Sequence, residues 1–108
     1  MIDDKNQVEK LMDKMESQLP IPVLPQKKLV QILREEGKKI SSQKVLFIEN
    51  ILYLGDEGGI GCDLGMILDK NEAFVCSLTQ LSVNPRHPLA KEIKAYQRER
   101  KNKLALQG

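Results

Sequence analysis

The residues able to do chemistry are few and far apart. His87 is the only histidine, and it stands between Arg86 and Pro88 at the entry of a predicted helix, where the helix dipole and the adjacent cation disfavour its charged form. A catalytic base there would need a serine, cysteine or carboxylate beside it, and the local sequence places none. Its ring is expected to cap or pack locally. Cys62 and Cys76 are the only cysteines, and with one distant histidine they match no zinc spacing. Both fall on the apolar face of predicted strands, close but not directly opposite, so they read as buried free thiols. Asp56, Glu57, Asp63 and Asp69 are hard-metal donors in type, but the twelve-residue calcium-loop pattern is missing and they read as solvated acidic turns. No catalytic residue, no metal site and no cofactor is expected, and the chain reads as non-enzymatic.

The glycines invite a nucleotide reading and fail it. Gly59-x-Gly61 followed by Gly65 is spaced GxGxxxG, leads into a strand instead of a helix N-terminus, and is flanked by acids that repel phosphate. Turn formation is the simpler use: Gly58 and Gly59 for positive φ, Gly61 and Gly65 for a close approach to the backbone.

Charge is more informative than any motif. The net charge is only +2, yet residues 1–24 carry −2, residues 25–44 carry +4, residues 45–84 carry −5 and residues 85–108 carry +5. On a helix of about 100° per residue, Lys91, Lys94, Arg98 and Lys101 fall within roughly 80° of one another. Such a row suits a phosphate backbone, although an ordinary solvated face is the competing reading. Base stacking needs exposed aromatics. Phe47 and Tyr53 are expected to share one sheet face and complete a candidate nucleic-acid-binding set; packing under a helix or a partner subunit is their other use.

The elements that must position these residues follow from periodicity. Val8, Leu11, Met12, Met15 and Leu19 recur at helical spacing behind Asp3 and Asp4. Prolines 20, 22 and 25 then dictate a stiff extended connector. Leu29, Val30, Ile32 and Leu33 predict a short helix ending at Gly37 as a left-handed cap. The strings KVLFIENILYL, IGCDLGMIL and EAFVCSLTQL read as antiparallel strands, with Leu54 opposite Ile60, Leu64 opposite Cys76, and a tight turn at Asp69, Lys70 and Asn71. Glu49-Asn50 interrupts the first as a bulge or a turn. Pro88 suits the start of a last helix carrying Leu89, Ile93 and Tyr96 inward.

The fold class is therefore α+β: a three- or four-stranded antiparallel meander, two N-terminal helices, and a C-terminal helix packed on one face. Residues 1–24 form a helix and connector that can sit apart, and residues 25–108 form one domain. The 108 residues, 41% of them hydrophobic, suffice for a core without metal or disulfide and exclude a two-domain enzyme. A polar start, two cysteines and no apolar run near the roughly 20 residues of a membrane span point to a cytoplasmic protein without membrane attachment. Apolar residues on both sheet faces suggest a homodimer.

The strings Tyr53-Leu-Gly-Asp-Glu-Gly-Gly-Ile60, Ser77-Leu-Thr-Gln-Leu81, Asn84-Pro-Arg-His-Pro-Leu-Ala-Lys-Glu-Ile93 and Ala95-Tyr-Gln97 resemble a family of small cyanobacterial and plastid-type proteins. The resemblance covers about residues 24 to 104. It implies a fold like that of the single-stranded-DNA-binding transcriptional coactivators, whose unit is a four-stranded antiparallel sheet with a helix, paired into a dimer. Fold alone does not carry function. From the residues, the expected function is a nucleic-acid-binding or regulatory module that uses the basic helix face, with single-stranded nucleic acid as candidate partner. The alternative is an adaptor for a protein partner.

Overall fold

Asp4 opens the first helix, α1 (Lys5–Gln18), by accepting the Gln7 N–H on its carboxylate at 3.1 Å. Helical spacing then brings Val8, Leu11 and Met15 onto one buried stripe. The computed structural model describes residues 3–68 and 71–107. Within them the chain is α+β, with three α-helices and two three-stranded antiparallel sheets.

The proline-rich segment is not a free connector. As β1 (Ile21–Pro25) it is the middle strand of the first sheet, between β2 (Leu46–Ile48) and β6 (Leu81–Val83). Proline normally argues against a central strand because it donates nothing to the ladder. Here the neighbours are staggered, β2 along residues 21–23 and β6 along 23–25, so only Val23 has a partner on both sides. Burial alternates along the strand, with Ile21, Val23 and Pro25 inward and Pro22 and Leu24 outward. The boundary expected at residue 24 thus falls inside a strand, and α1 contributes to the same core as the rest of the chain.

Helix α2 (Lys27–Glu35) follows and ends as its glycine predicts. Gly37 adopts φ +82°, the Lys38 N–H reaches the Leu33 carbonyl at 2.8 Å, and the Gly37 N–H reaches Arg34 at 3.0 Å, which is a Schellman cap. Leu29, Val30 and Leu33 are buried, whereas Ile32 stays at the surface.

At Glu49 the chain leaves the first sheet and enters the second, which is the meander β3 (Asn50–Tyr53), β4 (Ile60–Asp63), β5 (Val75–Ser77). Its registers differ from those expected. Tyr53, not Leu54, faces Ile60, because Leu54 closes the turn by donating its N–H to Gly59 at 2.7 Å. One residue of slip exchanges the faces: Leu52 and Leu54 become 42% and 40% exposed, while Ile51 and Tyr53 pack against the core. Between β4 and β5 the shift is two residues, so the faces hold and Cys62 lies directly opposite Cys76. The ladder ends where Leu64 donates to Phe74 and Phe74 to Gly65, leaving a longer connection than a three-residue turn. Asp69 and Lys70 of the expected turn lie outside the described residues.

The string EAFVCSLTQL divides at Ser77. A capping box, Ser77 with Gln80, starts a short 3₁₀ turn at Leu78–Gln80, and the chain then crosses to the first sheet as β6. Helix α3 (Ala90–Gln107) closes the fold, with Leu89 just before it and Ile93 and Tyr96 on its inner face, all buried.

Candidate functional site

The inner face of α3 continues one turn past Tyr96 to Arg100, where an apolar residue is the usual choice. Arg100 is 2% exposed and its guanidinium donates from Nη1 to Asp3 Oδ2 at 2.9 Å. The same oxygen accepts the Tyr53 hydroxyl at 2.8 Å, and Arg100 Nη2 donates to the Asp56 carbonyl. Beside them the Tyr96 hydroxyl accepts the Ile60 N–H at 2.9 Å. All of this closes over Gly59, whose φ of +64° and missing Cβ leave room for the Tyr96 and Arg100 side chains. Asp3 and Arg100 are 97 residues apart in sequence, so the pair fastens the start of the chain to its last helix. The signal for Arg100 in the sequence is its place in the series 89, 93, 96, 100.

This network holds the fold together, and only at Arg100 does it border a cleft, the one at the end of α3. Burial, followed by the hydrogen bond to Asp3, pushes the Tyr53 phenol up to about 12, and burial does the same to Tyr96. Burial also raises Cys62, and Cys76 to about 12. Both thiols are free, buried and protonated at neutral pH. A stability consequence follows. A group whose folded pKa is raised contributes stability that is complete below its unfolded pKa, roughly 8.5 for cysteine and 10 for tyrosine, and is lost as pH rises toward the folded value. Stability by urea titration should be level to about pH 8, then fall by up to about 1.4 kcal/mol per pH unit for each of Cys62, Cys76 and Tyr96 as it enters its window. An unfolding midpoint unchanged to about pH 11 would contradict this burial.

The predicted binding residues lie outside the network, with one exception. Lys91, Lys94, Arg98 and Lys101 are all exposed along α3, and none has a carboxylate within 4.0 Å among the described residues. Their neighbour Glu92 is taken by Lys14 of α1 at 3.0 Å, an exposed pair that adds little stability but occupies that carboxylate. The exception is Tyr53, whose ring packs against the core and whose hydroxyl is held by Asp3. The expectation that Phe47 and Tyr53 share a sheet face does not hold, since they belong to different sheets. Phe47 is 49% exposed on the open face of the first sheet, paired in register with Pro22.

Two members of the basic row border depressions. Lys94 borders a groove of about 490 Å³ that runs over Pro22, Leu24, Val45, Ser82 and Pro85 on that open face. Lys101 borders a cleft of about 530 Å³ between the start of α2, the edge of β5 and the end of α3. Sequence reasoning missed both, because each is assembled from several separate segments of the chain.

His87 is a local cap, its Nδ1 accepting the Leu89 N–H at 3.0 Å. Of the acidic residues, Asp63 accepts the Gly65 N–H at 2.8 Å, Glu49 lies against Gly65, where a Cβ would sit 2.7 Å from its carboxylate, and Asp69 is outside the described residues. Among the described residues no group of three or more histidines, cysteines or carboxylates is placed to hold a metal ion, and no helix is long and apolar enough to cross a membrane. No family model, curated protein or solved structure matches the chain.

Proposed function

We propose that the chain is a non-enzymatic binding module for single-stranded nucleic acid, with α3 as its contact surface. The supporting observation is the row of four exposed cations without carboxylate partners among the described residues. Ten residues of helix separate Lys91 from Lys101, about 15 Å along the axis, so the row can follow a backbone over several phosphates. At the Lys94 end the groove leads to the face that carries Phe47, the aromatic best exposed for stacking a base. Tyr53 has no part in this reading.

Titration of short single-stranded DNA and RNA by fluorescence anisotropy tests it. Four neutralised phosphates predict a log–log salt slope of about −3 for single strands. Charge reversal at Lys91 and Lys94 should flatten that slope, and Phe47→Ala should weaken binding at least severalfold. Absence of binding to either strand at low salt would sink the proposal.

A second reading is favoured by a separate observation. Leu24, Val45 and Phe47 lie 37%, 54% and 49% exposed on the open face of the first sheet, a surface suited to a protein partner or to a second copy of the chain. Light scattering on the purified protein with and without nuclease distinguishes the two. A dimer that survives nuclease and is lost in Phe47→Asp favours the protein interface.

A further inference from the structure

Apart from Lys101, which it shares with the basic row, the cleft at that end has a chemistry that the strand-binding reading does not use. Two ammonium groups from different helices border it, Lys28 near the start of α2 and Lys101 near the end of α3. Its floor is the Ser77–Gln80 capping box. The Ser77 and Thr79 hydroxyls share one hydrogen bond of 2.9 Å, so one of the two O–H groups remains to donate elsewhere. Gln80 spends its oxygen on the Ser77 N–H at 3.2 Å, which leaves its NH₂ as a second donor. The walls are apolar: Leu54, lying over Gly58 and Gly61 where added Cβ atoms would approach it to 2.8 Å, and Leu104 of α3. Among the described residues, Glu57 is the only carboxylate on the lining.

From this arrangement we infer that the cleft between α2, β5 and α3 binds the phosphomonoester end of a nucleotide. The two lysines, the spare hydroxyl and the Gln80 amide match a dianionic phosphate. Glu57 supplies an acceptor for sugar hydroxyls, and the two leucines cover the flat faces of a base. A volume of about 530 Å³ falls in the range of small-molecule sites. The ligand can come from two sources, a free mononucleotide or the phosphorylated end of a strand.

Calorimetric titration with a nucleoside monophosphate and with the matching nucleoside, together with anisotropy on 5′-phosphorylated and 5′-hydroxyl oligonucleotides, separates them. Saturable binding of the monophosphate with none of the nucleoside, weakened roughly tenfold or more by Lys28→Glu and by Thr79→Val but unchanged by Lys91→Glu, supports the free nucleotide. A preference of the same size for the phosphorylated oligonucleotide, lost in Lys28→Glu, supports the strand end. If neither ligand gains affinity from its phosphate, the inference is overturned. Oligonucleotide binding that persists through Lys91 and Lys94 would leave the strand-binding reading standing in that case, and loss of all oligonucleotide binding with retained monophosphate binding would do the reverse.

Discussion

Arg100→Ala is expected to destabilise the fold by about 3–5 kcal/mol, because it leaves the Asp3 carboxylate buried without its cation. The same change also strips the Asp56 carbonyl of a donor and opens a void along the inner face of α3. Against a total of roughly 5–15 kcal/mol for a domain of this size, that is a large part of the stability. A thermal melt should show a midpoint lower by about 12 °C or more. The informative companion is Arg100→Met with Asp3→Asn. Removing both charges avoids a stranded ion, so the double variant should lose less than the two single changes combined. A loss below about 1 kcal/mol for Arg100→Ala would mean that the pair is not buried as described.

Gly59→Ala should be nearly as damaging, for a steric reason. Two costs combine at that position. A residue with a Cβ at φ +64° carries roughly 1–2 kcal/mol of backbone strain, and the added methyl would collide with the Tyr96 hydroxyl and sit 2.9 Å from the Arg100 guanidinium. Overpacking of that kind typically adds 1–3 kcal/mol, giving about 2–5 kcal/mol together. Gly37→Ala isolates the first cost, because Gly37 has φ +82° and nothing within 4 Å of an added Cβ. It should lose only about 1–2 kcal/mol. Equal losses at the two positions, measured by urea unfolding, would show that Tyr96 and Arg100 do not close over Gly59. A further readout follows from the hydrogen bond between the Ile60 N–H and Tyr96, whose amide should exchange faster in Gly59→Ala and not in Gly37→Ala.

These two changes mark where reading the sequence succeeds and where it stops. The stripe Leu89, Ile93 and Tyr96 is legible from spacing alone, and all three residues are buried. Arg100 continues that stripe at the same spacing, but nothing local says whether an arginine on an apolar face bends out to solvent or pairs inside. Its partner is 97 residues away, beyond any window of periodicity. Tyr53 shows the same limit. Alternation in KVLFIENILYL identifies a strand, yet the face each residue takes depends on one residue of register, and the turn that sets it depends on Leu54 reaching Gly59. The cleft and the groove were invisible for the same reason, because Lys28, Ser77 and Lys101 meet only after two sheets and two helices have packed.

Local sequence is enough for the α+β class, the inward faces of α1 and α3, the left-handed cap at Gly37, the apolar placement of the two thiols and the clustering of positive charge on one side of the last helix. Each depends on energies acting within a turn or a strand, where spacing and side-chain type are sufficient. The central-strand place of the proline-rich segment, the changes of sheet at Glu49 and Ser77 and the buried pair of Asp3 and Arg100 come from long-range packing. Those outcomes depend on which distant segments exclude water together, and several pairings of similar local quality compete until the whole core closes around one of them.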